Sequence, residues 1–382
     1  MICVAIFFAD ASHSLVIPIF PTFAQGLGAS LTMIGLYGSM IGIAMVLLSM
    51  PIGSISDRVG RRKVLIMGFV LMVTVPLLYI IASSPIHLLF ARLLLGVSMG
   101  STFGLGFVWV SEEALGKFRG IAQGLYMTAM GIGFTVGPIV GGYSSAFWGF
   151  SAAFIASSLL GAFGLFALLL IKGETPQTKI RVKEVKLRET LADPQVLAAG
   201  LSNFINTLMY LALSTFFPLY GLVIGLTSAE VGLGFTVRGL FSTIIRFPAT
   251  AASKGRITFW LLIVGLAAQA ITIALLASNL QLNILLILLA IQGAMYGVSL
   301  TAGNVYVATE APPERRGAAM GVYQSFSNAS TVVCPLILGG LAELYNVSTP
   351  LQVAAVASIA GVALCILLSR RKFETTQGSR AT

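Results

Sequence analysis

The sequence predicts an all-α polytopic membrane protein with twelve transmembrane helices in two pseudo-symmetric six-helix bundles. Of its 382 residues, 57% are apolar and only 9% are Asp, Glu, Lys or Arg, whereas soluble domains carry roughly 25% charged residues. A membrane-spanning helix needs about 20 apolar residues, so the chain has room for about twelve. The two halves of the chain also match each other at one constant offset.

Apolar runs separated by short polar gaps define the individual helices. Membrane strands are not expected, because the runs are too long and do not alternate between apolar and polar residues. The predicted helices cover residues 1–24, 31–53, 63–82, 86–110, 120–142, 148–171, 194–221, 228–251, 258–277, 281–307, 317–342 and 349–369.

Basic residues occupy only every second gap. Lys and Arg mark the cytoplasmic side of a membrane protein, so both termini are predicted to lie in the cytoplasm, in a cell (inner) membrane. The net charge of +10 is accounted for by this bias and does not indicate nucleic-acid binding. Twenty of the 23 Lys and Arg lie in the gaps 54–63, 111–119, 172–193, 252–257 and 308–316 and in the tail after 369.

The gap at 172–193 is the longest and holds ten charged residues, which is typical of a linker. It divides the twelve helices six plus six. The predicted organisation is an N-terminal six-helix bundle at 1–171, a basic cytoplasmic linker at 172–193, a C-terminal six-helix bundle at 194–369 and a cytoplasmic tail at 370–382.

An internal repeat relates the two predicted bundles. Two copies with an even number of helices have the same orientation, related by an axis along the membrane normal, with a site between them at mid-depth. This predicts two bodies that rock about a central cavity in alternating access. An offset of 197 pairs Pro21 with Pro218, Gly35 with Gly232, Gly106 with Gly303, Tyr126 with Tyr323, and Pro138 with Pro335.

The polar gap after the second helix reads G-S-I-S-D-R-V-G-R-R-K from residue 53 to residue 63. It resembles the signature loop of the major facilitator superfamily, G-x-x-x-D-R-x-G-R-R. The resemblance, which extends to the twelve helices, the basic linker and the repeat, implies a cytoplasmic gate. In that gate Asp57 faces the positive N-terminal end of the eleventh helix. The predicted gate residues are Gly53, Asp57, Arg58, Gly60, Arg61 and Arg62.

The fifth helix carries G-F-T-V-G-P-I-V-G-G from residue 133 to residue 142. This is similar to the motif that the same family associates with drug:proton antiporters, and the resemblance implies export. Glycines four residues apart also form a flat stripe on which another helix packs closely, so plain packing is the alternative interpretation. The residues of this antiporter-type motif are Gly133, Gly137, Pro138, Gly141 and Gly142.

Three polar residues inside the first bundle are candidates for proton coupling. Asp10 is the one carboxylate clearly within the membrane core, where a charge is costly, so it could bind and release a proton. His13 lies one helical turn away as a candidate partner. Arg92 resembles the arginine of the family's R-x-x-x-G motif, which is linked to proton transfer. The alternatives are an interfacial Asp10, a core His13 and a snorkelling Arg92.

Polar residues in the second half are candidates for the substrate cavity. The family lines its cavity with helices one, four, seven and ten, which implies a role for the polar residues on the seventh and tenth helices. Arg238 on the eighth helix could complement an anionic substrate or pair with a carboxylate. The candidates are Asn203, Asn206, Tyr210, Arg238, Gln292 and Asn304.

These features predict a secondary active transporter rather than an enzyme, because the sequence has no phosphate loop, nucleophile motif or metal-ligand spacing. The leading function is proton-coupled efflux of a small amphipathic or drug-like compound. The alternative is a proton symporter or uniporter that takes up a small metabolite. The expected partners are the substrate, protons and the lipid bilayer, with no nucleic acid, cofactor or metal, and the chain is expected to act as a monomer.

Overall fold

The computed structural model describes residues 1–114, 118–171, 190, 193–278, 281–311 and 315–378, and all regular structure in these residues is helical. A π-helical turn at Gly100–Gly104 joins two of the helices. The α-helices are α1 (Ile2–Val16), α2 (Phe20–Gly26), α3 (Leu31–Val59), α4 (Arg61–Ile81), α5 (Pro85–Met99), α6 (Leu105–Glu113), α7 (Arg119–Leu169), α8 (Pro194–Val223), α9 (Ser228–Ala252), α10 (Arg256–Leu276), α11 (Leu282–Glu310), α12 (Arg316–Leu344) and α13 (Thr349–Gly378).

These helices confirm the all-α polytopic fold. In the described part of the chain, nine helices are long and apolar enough to cross a membrane, and the bent pair α1 and α2 makes a tenth crossing. Helix α7 has 51 residues and turns at Gly149, whose φ is 82°, so it provides two crossings. Helix α9 is not among the nine; it has 25 residues, enough to cross a membrane, but carries Arg238 and Arg246. With α9 and the second crossing of α7, the total is twelve membrane-length segments.

Several helix boundaries differ from the predicted ones. The first predicted helix is broken, because α1 and α2 meet at an angle of 42° around Pro18, which has no backbone N–H to donate. The predicted fifth and sixth helices are the two segments of α7, and they meet at Gly149, where the backbone is not helical, rather than at the predicted gap between residues 142 and 148. Helix α3 continues to Val59 and α13 to Gly378, past the predicted ends at 53 and 369, because polar residues can extend a helix beyond the lipid.

The predicted basic linker lies almost wholly outside the described residues, which include only Thr190 and Asp193 of it. The Asp193 side chain caps α8 by accepting a hydrogen bond from the backbone N–H of Gln195 at 2.9 Å. Such a cap satisfies one of the free amides at the start of a helix.

Residues paired by the 197-residue offset adopt the same local geometry. Gly28 and Gly225 end equivalent helices with φ of 88° and 89°, values that favour glycine. Gly106 packs against the Tyr126 ring and hydroxyl, and its equivalent Gly303 packs against Tyr323 in the same way. The repeat in the sequence therefore corresponds to repeated packing in the structure.

Two helix pairs approach closely at one end of the molecule. We call the end that holds Gly60, Phe118, Lys254 and Arg315 the basic end, and the opposite end the far end. Near the far end, a side chain on Gly35 of α3 would overlap the backbone of Pro335 and Gly339 on α12. The equivalent crossing joins Gly142 of α7 to Gly232 of α9. These backbone contacts close the far end.

The same helices are apart at the basic end. Side chains added to Gly120 and Gly124 of α7 would meet no atom of the described residues within 4 Å. The same holds for their repeat equivalents on α12, Gly317 and Gly321. At the far end, Gly142 of α7 and Gly339 of α12 thus each contact a partner helix, and no described residue makes such a contact at Gly124 or Gly321 near the basic end.

Filling the far-end crossing should destabilise this structure. We expect Gly339→Leu to lower the free energy of unfolding by about 1–3 kcal/mol, because the added side chain overpacks a backbone contact. Gly340→Leu is the matched control, since a side chain there meets nothing within 4 Å. Thermal unfolding of the purified variants would measure the difference, and equal unfolding temperatures for the two variants would contradict the contact.

Candidate functional site

A cavity of about 310 Å³ lies between helices of both repeats. Repeat-equivalent residues face it from opposite sides, as His13 and Tyr210 do, and as Ile17 and Ser214 do. The cavity therefore straddles the axis that relates the two copies. Its polar lining residues are His13, Tyr37, Arg92, Thr207, Tyr210, Ser214, Thr215, Tyr296, Ser327 and Thr331.

Arg92 on α5 provides a positive charge in the first-half wall of this cavity. Its guanidinium carbon lies 3.2 Å from the centre of the Phe20 ring and 5.7 Å from that of Tyr79. The Arg92 Nε is buried and has no hydrogen-bond partner among the described residues. The aromatic rings therefore hold the guanidinium from one side by a cation–π interaction, and the cavity lies on the other.

Two tyrosines form the second-half wall. The rings of Tyr210 on α8 and Tyr296 on α11 are 5.9 Å apart. Behind them lies Arg238 of α9, whose guanidinium carbon is 5.2 Å from the Tyr210 ring and 4.7 Å from the Tyr296 ring. Arg238 is 0% exposed. Its Nε donates to Gln292 Oε1 at 2.6 Å, which leaves both terminal nitrogens without a partner in the described chain.

A buried amide network continues from this arginine. Gln292 Nε2 donates to Gln269 Oε1 at 3.3 Å, and Gln269 Nε2 donates to Asn206 Oδ1 at 3.0 Å. The Ser299 hydroxyl also donates to Asn206 Oδ1, at 2.9 Å. Buried polar groups need such partners because burial removes them from bulk water. The network therefore accounts for these residues without a bound substrate.

The structure places only one of the six predicted substrate-cavity residues, Tyr210, in the cavity wall. Arg238, Gln292 and Asn206 lie behind that wall in the network just described. Asn203 Nδ2 donates to the backbone oxygen of Tyr323 at 2.9 Å, tying α8 to α12. Asn304 Nδ2 donates to Leu300 O of its own helix at 2.8 Å.

Other cavity residues were not anticipated from the sequence. Tyr37 on α3 and Ser327 and Thr331 on α12 line the cavity, although the predicted lining came from other helices. Tyr296 is the repeat equivalent of Met99, and both residues line the cavity. The repeat was therefore the signal that could have identified Tyr296 once its equivalent was known.

Of the predicted proton-coupling residues, His13 and Arg92 line the cavity, and Asp10 lies beside it. Asp10 is 5% exposed, and its Cβ faces Gly133 of α7. The polar groups that act on its carboxyl are the Arg246 side chain on α9 and the backbone of Phe134. Arg246 and Asp10 belong to different halves of the chain, and no ion pair within 4 Å joins them.

The glycines of the antiporter-type motif fit α7 against α1. Side chains on Gly133, Gly137 and Gly141 would overlap the backbone of α1 between Phe7 and Leu15. The next residue, Gly142, faces α9 instead, and Pro138 lies within the same stretch. This segment thus contacts the helix that carries Asp10 and the helix that carries Arg246.

The predicted gate motif lies in the turn between α3 and α4. Gly60 adopts a φ of 96° there. Arg61 forms an ion pair with Glu112 at the end of α6, and Arg62 donates to Leu169 O of α7 at 3.1 Å. The Asp57 side chain is 70% exposed and lies 3.8 Å from Arg61.

The remaining two motif residues are open. Arg58 is exposed, and a side chain on Gly53 would meet nothing within 4 Å. Arg61 and Arg62 of the motif therefore bind to other helices of the first half, and Asp57 faces solvent.

A helical membrane protein with an internal repeat and a cavity between its two copies has the architecture of a solute transporter. Comparison with known proteins agrees. A sequence model described as Major Facilitator Superfamily matches residues 2–268 and 199–382. The chain belongs to this superfamily, so it is a multi-pass membrane transporter of small molecules and not an enzyme.

Individual relatives cover nearly the whole chain. The multidrug efflux protein YfmO of Bacillus subtilis is 26% identical over 371 residues, which are 94% of this chain and 89% of that protein. The quinolone resistance protein NorA of Staphylococcus aureus is 22% identical over 375 residues, 95% of this chain and 94% of NorA.

A solved structure shares the fold. It is a bacterial homologue of the human lysosomal transporter Spinster in an inward-facing and occupied conformation. The TM-score is 0.79 at 15% sequence identity, covering 97% of this chain and 95% of that one.

Two asparagines should differ in their contribution to the free energy of unfolding, because only Asn206 belongs to the amide network. Asn206→Leu should cost about 1–3 kcal/mol of unfolding free energy, because it removes the acceptor of two buried hydrogen bonds, from Gln269 and from Ser299, each worth about 0.5–1.5 kcal/mol. Asn304→Leu should cost about 1 kcal/mol or less, since its amide bonds only to its own helix. Thermal unfolding of both variants would test this, and a larger loss in Asn304→Leu would contradict the network.

Proposed function

We propose that the protein is a proton-coupled antiporter that exports a small amphipathic or drug-like compound by alternating access. The observation that carries the proposal is the position of Asp10. This carboxylate is buried where the antiporter-type glycine motif meets α1, and Arg246 acts on it from the other half of the chain. A proton bound there would change the charge balance between the two halves.

The two ends of the helices support alternating access. In our proposal, the six-helix units at 1–171 and 194–369 rock about the central cavity. The far end is closed by the crossings at Gly35 and Gly142, and the basic end is open at Gly120 and Gly317. We place the basic end and both termini in the cytoplasm of the cell (inner) membrane, so the structure corresponds to an inward-facing state.

One proton supplies enough energy for export. Moving a charge across 100 mV contributes about 2.3 kcal/mol, and one pH unit contributes about 1.4 kcal/mol. Together they support a substrate gradient of several hundredfold. YfmO and NorA, which are described as efflux and resistance proteins, support the export direction.

The alternative function is uptake of a small metabolite by symport or uniport. The same cavity and the same two-ended geometry would serve it, so the direction of proton movement separates the two functions. In everted membrane vesicles, an antiporter moves protons opposite to the substrate, a symporter moves them together, and a uniporter moves none.

Asp10→Asn should uncouple transport from protons. We expect substrate-induced release of protons from energised everted vesicles to fall at least tenfold. The asparagine amide, unlike the carboxylate, cannot bind and release a proton. Exchange of labelled for unlabelled substrate should continue. A pH-sensitive dye measures the first quantity, with the substrate taken from a susceptibility screen of amphipathic compounds.

The matched control for Asp10→Asn is Glu230→Gln. Glu230 accepts the backbone N–H of Thr227 at 2.7 Å at the start of α9, and glutamine can make the same capping interaction. Proton release should be unchanged in this variant. Undiminished proton release in Asp10→Asn would reject the role of Asp10.

Asp57→Asn tests the gate. We expect it to lower transport severalfold and favour the inward-facing state, because the outward-facing state would lose the attraction between Asp57 and the start of α12. A cysteine at Gly321, which is open at the basic end, should label faster in this variant, in a background that lacks the native cysteines. Unchanged transport together with unchanged labelling would contradict the gate.

A further inference from the structure

The charged groups within the membrane-spanning helices are mainly positive. Away from the helix ends, the sequence places three arginines, Arg92, Arg238 and Arg246, against one carboxylate, Asp10. Three positive charges and one negative charge give a net charge of +2. A cation in a bilayer costs about 2.5–3.5 kcal/mol on insertion scales unless it is paired with an anion or hydrated. The excess therefore needs a compensating anion or water.

The single carboxylate does not neutralise the cavity. Asp10 lies outside the cavity lining, and the cation that acts on its carboxyl is Arg246. Arg92, by contrast, faces the cavity and is held by the rings of Phe20 and Tyr79. Its surroundings are aromatic and apolar, and no carboxylate of the described chain pairs with it.

Arg238 is a second guanidinium without a counter-charge. It is 0% exposed, and its two terminal nitrogens have no partner among the residues that the structure describes. The rings of Tyr210 and Tyr296, which line the cavity, lie 5.2 Å and 4.7 Å from its guanidinium carbon. Its repeat equivalent, Ile41, lines the cavity directly, so the backbone of α9 places Arg238 toward the central axis.

We propose that the central cavity binds an organic anion with an apolar, aromatic body, whose carboxylate contacts Arg92 while Arg238 adds positive potential from behind the tyrosines. A guanidinium fork matches a carboxylate in two parallel hydrogen bonds. The rings of Phe20, Tyr210 and Tyr296 and the side chains of Ile17, Ile34 and Met99 surround the body of the ligand. The inference rests on the proposed transport function, whose substrate class it specifies.

The size of the cavity limits the ligand. Its volume of about 310 Å³ is at the lower end of the range of about 300–1,000 Å³ that is usual for small-molecule sites. A fused two-ring acid is therefore a suitable probe. 1-Naphthoate, 1-naphthamide and 1-naphthylmethylammonium share one body and differ in charge, and calorimetry with the full-length protein in detergent at neutral pH can compare them.

We expect 1-naphthoate to bind at least tenfold more tightly than either the amide or the ammonium compound. Arg92→Gln should remove most of this preference, and Arg92→Lys should retain part of it because the charge remains. Lys254→Gln removes an exposed cation at the basic end and should leave the preference unchanged. If Arg92→Gln does not fold, the ranking of the three probes on the unmodified protein decides the question.

Equal or tighter binding of the amide or the ammonium compound would overturn the proposal. So would a preference for 1-naphthoate that survives Arg92→Gln undiminished. Liposome transport separates this result from the proposed function. Transport of cations or neutral compounds without anion binding would reject only the anion site, whereas anion binding without transport of any compound would reject the transport function.

Discussion

The close approach of helix backbones at the far end is the contact on which the shape of the cavity depends. Gly35 meets Gly339, and its repeat equivalent Gly232 meets Gly142, at distances that only glycine permits. Inside a bilayer, apolar side chains gain little from leaving lipid, so close backbone packing through small residues provides much of the specificity. These two crossings close one end of the cavity, and the absence of such contacts at Gly321 leaves the other end open.

A second constraint is that polar groups in a lipid-surrounded core must find partners. The second half satisfies it for its buried amides, through the network from Gln292 to Asn206, but leaves the terminal nitrogens of Arg238 without a partner in the described chain. In the first half and at the interface, Arg92 faces the cavity and Asp10 faces the opposite half of the chain. The polar groups left over by folding are thus the ones placed where a substrate or a proton could meet them.

Much of the fold could be predicted from the sequence, because long apolar runs and alternating basic gaps reflect the bilayer itself. The exact position of the turn within α7 could not, since it depends on the backbone conformation of one glycine, Gly149. The cavity was harder to predict. Asn206 and Gln292 have the polarity of cavity residues, but they pair with residues distant in sequence. Tyr296 was missed because only its repeat equivalence to Met99 marks it as a cavity residue, and Met99 was not itself identified as one.

In the proposed mechanism, the closed far end must open for transport. Cysteines at Thr32 and Glu343, whose backbone N–H and carboxylate are 3.2 Å apart across α3 and α12, can be joined by a short methanethiosulfonate cross-linker after the native cysteines are replaced. The account predicts that cross-linking stops transport in liposomes, leaves substrate binding from the basic end intact, and is reversed by a reductant. Transport at an undiminished rate by fully cross-linked protein would contradict it.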